Sequence, residues 1–233
     1  PAIANLGRTQ TILELDKKKI VVAGMHLWNL GEEGGPDMTP NGPDWNITQM
    51  YGFYKQASRV MQEKIRPIFI SARKASIPVF HIATNRYADK YPQYQETLQK
   101  YGESQGDPQK VGCLDRSWKP EDYHNRFGPN FNAEEMSRVK NKIKIAKCVE
   151  PAPQDKVVLN AVQFDGYLRD LNVNTIFYTG FCACFCLLFS GGGVMDMSRL
   201  GYRIIVVRDA ASGQEEKDTI INKDNHKFAM RVV

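Results

Sequence analysis

Short runs of consecutive apolar and β-branched residues alternate along the chain with longer stretches whose apolar positions recur at helical spacing. Ile20-Val21-Val22-Ala23-Gly24-Met25 is continuous enough for a strand covered on both faces. From 48 to 74, residues Met50, Phe53, Tyr54, Ala57, Val60, Met61 and Ile65 keep a helical period. Pro67 predicts a break near Arg66, with a second helical piece through Ala72. Ile77 to Ala83 reads as a second strand, where Pro78 is tolerable only at the start. Val157-Val158-Leu159 is a third strand, and a short helix from Phe164 to Leu171 is stopped by Asn172. Thr175 to Thr179 and Tyr202 to Val207 complete the set, with a turn opening at Gly180 and a helix led by Cys186 between them. Strands alternating with helical segments imply a three-layer, doubly wound α/β fold: a mostly parallel sheet with helices on both faces.

The remaining stretches resist this pattern. Residues 31–44 are crowded with glycine, proline, aspartate and asparagine, too long and turn-rich for a simple connection, and suit a functional loop over the strand edge. Residues 87–132 sustain neither period and are expected to form a partly helical insertion. Within it Trp118, Tyr123, His124, Phe127 and Phe131 suit a small packed cluster or the rim of a pocket. The apolar tail from Phe228 to Val233 is expected to pack across the domain or against a second subunit. At 233 residues, the chain suits a single domain spanning 1–233.

Composition narrows the class of partner. The net charge of +5 is spread among interleaved acids and bases, which is no nucleic-acid footprint, and leaves a small-molecule substrate as the expected partner. No apolar run approaches the roughly 18–20 residues of a membrane span, and no basic-then-apolar leader opens the sequence. Five cysteines, three of them at the alternate positions 182, 184 and 186, fit a reducing compartment better than a disulfide framework, and a cytoplasmic location is expected.

Cys186 falls just beyond the carboxyl end of the fourth strand, where parallel sheets bind ligands. At a helix start a thiol gains thiolate character, and free amides there can hold an oxyanion. A buried cysteine can equally serve as a small hydrophobe. Zinc would need ligands from a second motif, which the sequence lacks, and Gly191-Gly192-Gly193 lacks the Lys-Ser or Lys-Thr of a phosphate loop. No metal or organic cofactor is indicated.

Three stretches together resemble the isochorismatase-like cysteine hydrolases, the superfamily of nicotinamidases, carbamoylsarcosine amidase and ureidoacrylate hydrolases. They are Ser76-Ile77-Pro78-Val79-Phe80, Gly180-Phe181-Cys182-Ala183-Cys184-Phe185-Cys186-Leu187, and Gly201-Tyr202-Arg203-Ile204-Ile205-Val206-Val207-Arg208-Asp209-Ala210. The resemblance implies a cysteine nucleophile at Cys186, attack on a small amide or related carbonyl compound, and a thioester intermediate. It further implies an oxyanion hole from the amides of Cys182 and Cys186, with Phe181–Cys182 the candidate cis bond, and assembly as a dimer or tetramer.

Two family residues have no counterpart. The aspartate position falls on Gly24 in Val22-Ala23-Gly24-Met25-His26, and the lysine position falls on Asn160. His26 is a candidate substitute base, oriented by Glu32, Glu33 or Asp37, or else a histidine packed at the strand end. Asn160 is a candidate substrate contact, and Trp28, Trp45 and Trp118 are candidate pocket walls. Two functions therefore stand side by side: a cysteine hydrolase with a non-standard triad, and a divergent member that binds a small molecule or protein partner without catalysis.

Overall fold

The apolar run at 20–25 becomes the central strand of a parallel sheet, because both its faces need cover that only helices can give. In a computed structural model, which describes residues 10–32, 34–36, 48–103, 141–215 and 218–232, five strands form that sheet. They are β1 (Ile20–Met25), β2 (Val79–Ile82), β3 (Lys156–Val158), β4 (Thr175–Phe181) and β5 (Arg203–Ser212). The order is β3-β2-β1-β4-β5, and every pairing is parallel. Strand order reverses between β1 and β4, so the crevice outside their carboxyl ends is the place where such a sheet holds a ligand.

Two helical layers cover the sheet. One comprises α1 (Thr48–Val60), a π-helical turn at Met61–Ile65 and α2 (Arg66–Lys74), which bury Met61, Ile65 and Phe69. The other includes α3 (Pro92–Tyr101) and α4 (Ala161–Asp170). Alternation along β2 sends Phe80 to α4, where its ring lies 4.9 Å from that of Phe164, and His81 to α2, edge-on to Phe69 at 5.3 Å. After β4 come α5 (Cys186–Phe189) and α6 (Val194–Arg199), and α7 (Asp224–Val232) ends the described chain. Among the described residues no helix is long and apolar enough to cross a membrane.

Several boundaries differ from the sequence expectation. A second helical piece does begin at Arg66 and pass Ala72, but without a gap: Pro67 sits in the first turn of α2, where its missing N–H is not needed, and the π turn just upstream absorbs the change of register. β4 runs through Gly180 to Phe181 instead of turning at Gly180, because Gly180 and Phe181 pair with Ala211 and Ser212 of a β5 that is also longer than expected. α4 begins at Ala161, capped by Asn160, whose carbonyl Oδ1 accepts from the Gln163 amide, while Gln163 accepts from Leu159. Residues 191–193 end α5 after one turn, and Gly191 and Gly192 pack on the backbone of Asn160. Residues 92–101 form a regular helix pinned to β3 by Thr97, whose hydroxyl donates to the Val157 carbonyl at 2.7 Å. The cluster at 118–131 lies outside the described residues. In the tail, Ala229 and Met230 are buried while Phe228 and Val232 are exposed, so only one face of α7 packs across the domain.

A charged network lies inside the α2 layer. The buried Asp155 receives Arg73 Nε at 3.2 Å, the Ala152 amide at 2.9 Å and His81 Nε2 at 3.3 Å. Burial holds the His81 imidazole below its ordinary pKa, and its Nδ1 has no partner among the described residues, which suits a neutral ring protonated on Nε2. Burial alone would raise the Asp155 carboxyl, but the bonds from His81, Arg73 and Ala152 outweigh it and hold the group below its usual range. Because the unfolded chain takes up a proton on His81 below about pH 6.5 that the folded chain refuses, stability falls as pH drops through that value. Asp155 adds a second loss at lower pH. We expect Asp155→Ala to cost about 3 kcal/mol in urea unfolding at neutral pH, since it strands Arg73 and His81. His81→Gln should flatten the decline in urea midpoint just below pH 6.5, and an unchanged slope in that variant would refute the assignment.

Candidate active site

Of the residues singled out in the sequence, Cys182, Cys186 and His26 meet at the reversal between β1 and β4. The sheet edge is tight there: a Cβ on Gly180 would lie 2.2 Å from the carbonyl oxygen of Met25, and Gly180 adopts φ 107°. This approach places the turn after β4 beside His26, which follows β1. The Phe181–Cys182 peptide is cis, as the resemblance implied. The Cys182 carbonyl then accepts from the Phe185 amide at 3.1 Å and the Leu187 amide at 3.0 Å, which coils residues 182–187 and brings Cys186 back over Cys182.

Cys186 is the partly exposed member of the group, whereas Cys182 and Cys184 are buried. Its thiol is held far below the ordinary range, at about 3. The largest cause is a hydrogen bond from the Cys182 thiol; burial opposes it; His26 then contributes a hydrogen bond and charge, and the Cys182 amide a further bond. The helix expected to stabilise the thiolate is a single turn, so its dipole is small, and neighbouring side chains do the work the sequence reading gave to the helix. Cys182 is the counterpart: the same bond and its burial push its own thiol well up. Among the described residues the Cys186 amide donates to no backbone carbonyl and so is open to an oxyanion, whereas the Cys182 amide faces the Cys186 sulfur itself.

His26 is buried and in the left-handed region at φ 48°, anchored by its amide to the Ile82 carbonyl at 3.0 Å. Its ring lies 5.6 Å from that of Trp28, which packs edge-on to Tyr54 at 6.3 Å. Nδ1 of His26 has no partner among the described residues. Glu32 does not orient it, because its carboxylate is committed to the amides of Lys147 at 2.7 Å and Cys148 at 3.4 Å. Glu33, Asp37, Trp45 and Trp118 lie outside the described residues. Tyr54 and Tyr87 were not identified from the sequence, yet both are buried within electrostatic reach of the Cys186 sulfur. Each sits in a segment whose pattern signalled helix or insertion, and nothing local marks either as part of a site.

The two absent family residues have structural explanations. A Cβ on Gly24 would stand 2.6 Å from Leu27 Cδ1 and 2.8 Å from Phe69 Cζ, both in the core. The aspartate's space is therefore filled with hydrocarbon, and the histidine two residues on is what reaches the sulfur. Asn160 uses Oδ1 as the cap of α4, and its buried Nδ2 has no partner among the described residues. No group of three or more His, Cys, Asp or Glu among the described residues is arranged to hold a metal. We expect Gly24→Ala to cost roughly 1–3 kcal/mol by overpacking, read by urea unfolding. Gly24→Asp should cost more and should leave the ionisation of Cys186 unimproved; a stable, more reactive Gly24→Asp protein would contradict the packing described.

Comparison with known proteins bears on the family and the fold. A family model described as the isochorismatase domain matches residues 46–232. A cysteine hydrolase from Pseudomonas syringae pv. phaseolicola 1448A superposes with a TM-score of 0.56 at 13% identity, covering 97% of this chain and 89% of the other. An isochorismatase-like hydrolase from Alkaliphilus metalliredigens gives 0.49 at 12% identity over 93% and 89%. A nicotinamidase from Staphylococcus aureus gives 0.45 at 12% over 91% and 92%. Curated proteins yield no match. With the sheet order, the cysteine turn and a family match over most of its length, this chain belongs to the isochorismatase family.

Proposed function

We propose that this protein is a cysteine-dependent hydrolase of a small amide or related carbonyl compound. The geometry that carries the reading is the placement of Cys182 and His26 against the Cys186 sulfur, which lowers its ionisation from the ordinary thiol range. Family catalysis draws the thiol proton onto an aspartate; here the proton has already gone, so an acid at Gly24 is not required for that step.

The Cys186 thiolate attacks the substrate carbonyl, and the amides of Cys182 and Cys186 hold the oxyanion that forms. His26 passes a proton to the leaving nitrogen as the C–N bond breaks, which gives the thioester. Water then attacks, His26 takes its proton, and cleavage of the C–S bond returns the thiolate and releases the acid. Trp28, Tyr54 and Tyr87 form apolar walls beside the sulfur, and Nδ2 of Asn160 is a neutral donor in place of the family's lysine.

A second reading is favoured by one observation, the hydrocarbon filling at Gly24: a member that keeps the pocket and binds a small molecule or protein partner without turnover. The two readings part at Cys186. In the hydrolase, Cys186→Ala lowers hydrolysis of a panel of small amides and esters by about 10⁴-fold or more while the unfolding midpoint stays put; hydrolysis that survives the substitution removes Cys186 as nucleophile.

The ionisation is tested by iodoacetamide labelling across pH, with chymotryptic cleavage after Phe185 separating Cys186 from the other two thiols. Labelling of wild-type Cys186 should already be level above about pH 5. Cys182→Ala should move the midpoint upward furthest, since its bond is the largest influence, and His26→Ala should move it less. A wild-type midpoint in the ordinary thiol range, near 8.5, would sink the preformed thiolate and with it this mechanism.

A further inference from the structure

The proposed hydrolysis uses the amide of Cys182 but leaves its thiol without a chemical task. That thiol is buried, at 4% exposure, and lies beside the Cys186 sulfur, the more exposed one of the turn. The two cysteines are four residues apart, and the coil that joins them is fixed by the paired bonds to the Cys182 carbonyl. Cys184, the intervening cysteine, is turned elsewhere: its thiol donates to the Gln214 carbonyl at 3.5 Å. Cys182 Sγ also donates to Gln214 Oε1, over a long 3.7 Å that can yield to a covalent bond with Cys186.

We propose that Cys186 and Cys182 are a peroxide-oxidised pair, in which Cys186 reacts with a hydroperoxide and Cys182 resolves the product as a reversible intramolecular disulfide. The pair rests on the same reactive Cys186 as the hydrolase reading but needs no acyl substrate. In the first step the Cys186 thiolate attacks the terminal peroxide oxygen, and the O–O bond breaks. The alkoxide or hydroxide that leaves takes a proton, so the products are an alcohol or water and a Cys186 sulfenic acid. In the second step the Cys182 sulfur attacks the Cys186 sulfur and the S–O bond breaks. The departing hydroxide takes the Cys182 proton to give water. Two thiols thereby supply the two electrons that reduce the peroxide, and a small dithiol returns both through exchange.

The environment favours this order. Solvent reaches Cys186 before Cys182, so the oxidant meets the intended sulfur. The charged Cys186 is the first cause that keeps the Cys182 thiol protonated, and conversion of Cys186 to a neutral sulfenic acid removes it. Resolution is thus restrained until the partner is oxidised. The disulfide ties up the nucleophile and protects it from the irreversible sulfinic and sulfonic acids.

Reduced full-length protein is treated with hydrogen peroxide and mapped without reductant after cleavage at Phe185. The expected wild-type product links the Cys186 peptide to the peptide carrying Cys182 and Cys184, loses iodoacetamide labelling at Cys186 and regains it with dithiothreitol. Cys184→Ser should give the same link, which assigns Cys182 as partner. In Cys182→Ser the link should be lost, with Cys186 trapped as sulfenic acid by a 1,3-dione and passing on to sulfinic acid that dithiothreitol does not reverse. Over-oxidation of wild-type Cys186 as fast as in Cys182→Ser, or a disulfide to Cys184, to Cys148 or between chains, overturns the proposal. If Cys182→Ser does not fold, the wild-type and Cys184→Ser maps still decide. Amide hydrolysis measured on the same samples separates the two ideas. A disulfide without hydrolysis defeats only the hydrolase reading, and hydrolysis without a disulfide defeats only this one.

Discussion

At Gly180 any side chain would strike the carbonyl of Met25, so β4 lies against the carboxyl end of β1 only with glycine there. That contact sets the geometry of the crevice. It decides how close the turn at 182–187 comes to the left-handed His26, and so whether an imidazole two residues beyond the family's acid position can reach the cysteine sulfur. The other elements serve this edge: Thr179 ties β4 to the Ala23 carbonyl at 3.1 Å, and the Tyr178 hydroxyl donates to the Gly192 carbonyl at 2.6 Å, fixing the loop that closes α5.

The chemistry of the site is a substitution of means. A carboxylate beside a thiol raises the energy of the thiolate unless a proton moves, whereas a thiol donor and a histidine stabilise the thiolate directly. Replacing the acid by glycine also gives its volume to Leu27 and Phe69, which strengthens the core at the strand end. The donor is itself a cysteine. A hydroxyl in that position would supply a hydrogen bond alone, while a thiol adds a second redox-active sulfur in contact with the first.

Away from the crevice, the Arg73–Asp155–His81 network shows how a charge is kept inside an α/β core: one carboxylate accepts from a guanidinium, an amide and a neutral imidazole together. His81 lies beside Gly24 in the β1–β2 register and touches the same Phe69 ring, so the network stiffens the wall behind the vacated acid position. It is separate from the sulfur chemistry at the strand ends.

The sequence by itself determined the α/β class, the five strands and the cysteine turn, because buried parallel strands must be nearly continuous in apolar residues and glycine must stand where backbones touch. It also located the missing acid and the cis bond through resemblance. Ends of elements were less legible: Pro67 reads as a breaker until the preceding π turn is seen, and the reach of β4 to Phe181 depends on pairing with Ser212 of β5, 31 residues further along the chain. Only the tertiary structure decided which neighbours the Cys186 sulfur has. The spacing of 182, 184 and 186 suggests alternation, yet the turn coils, so Cys182 meets Cys186 while Cys184 faces Gln214. Glu32 is drawn away to Lys147 and Cys148, Tyr54 arrives from α1, and Tyr87 arrives from the turn after β2. A periodic pattern records which face of an element is buried, but contacts between elements, and the ionisation they impose, exist only once the chain has folded.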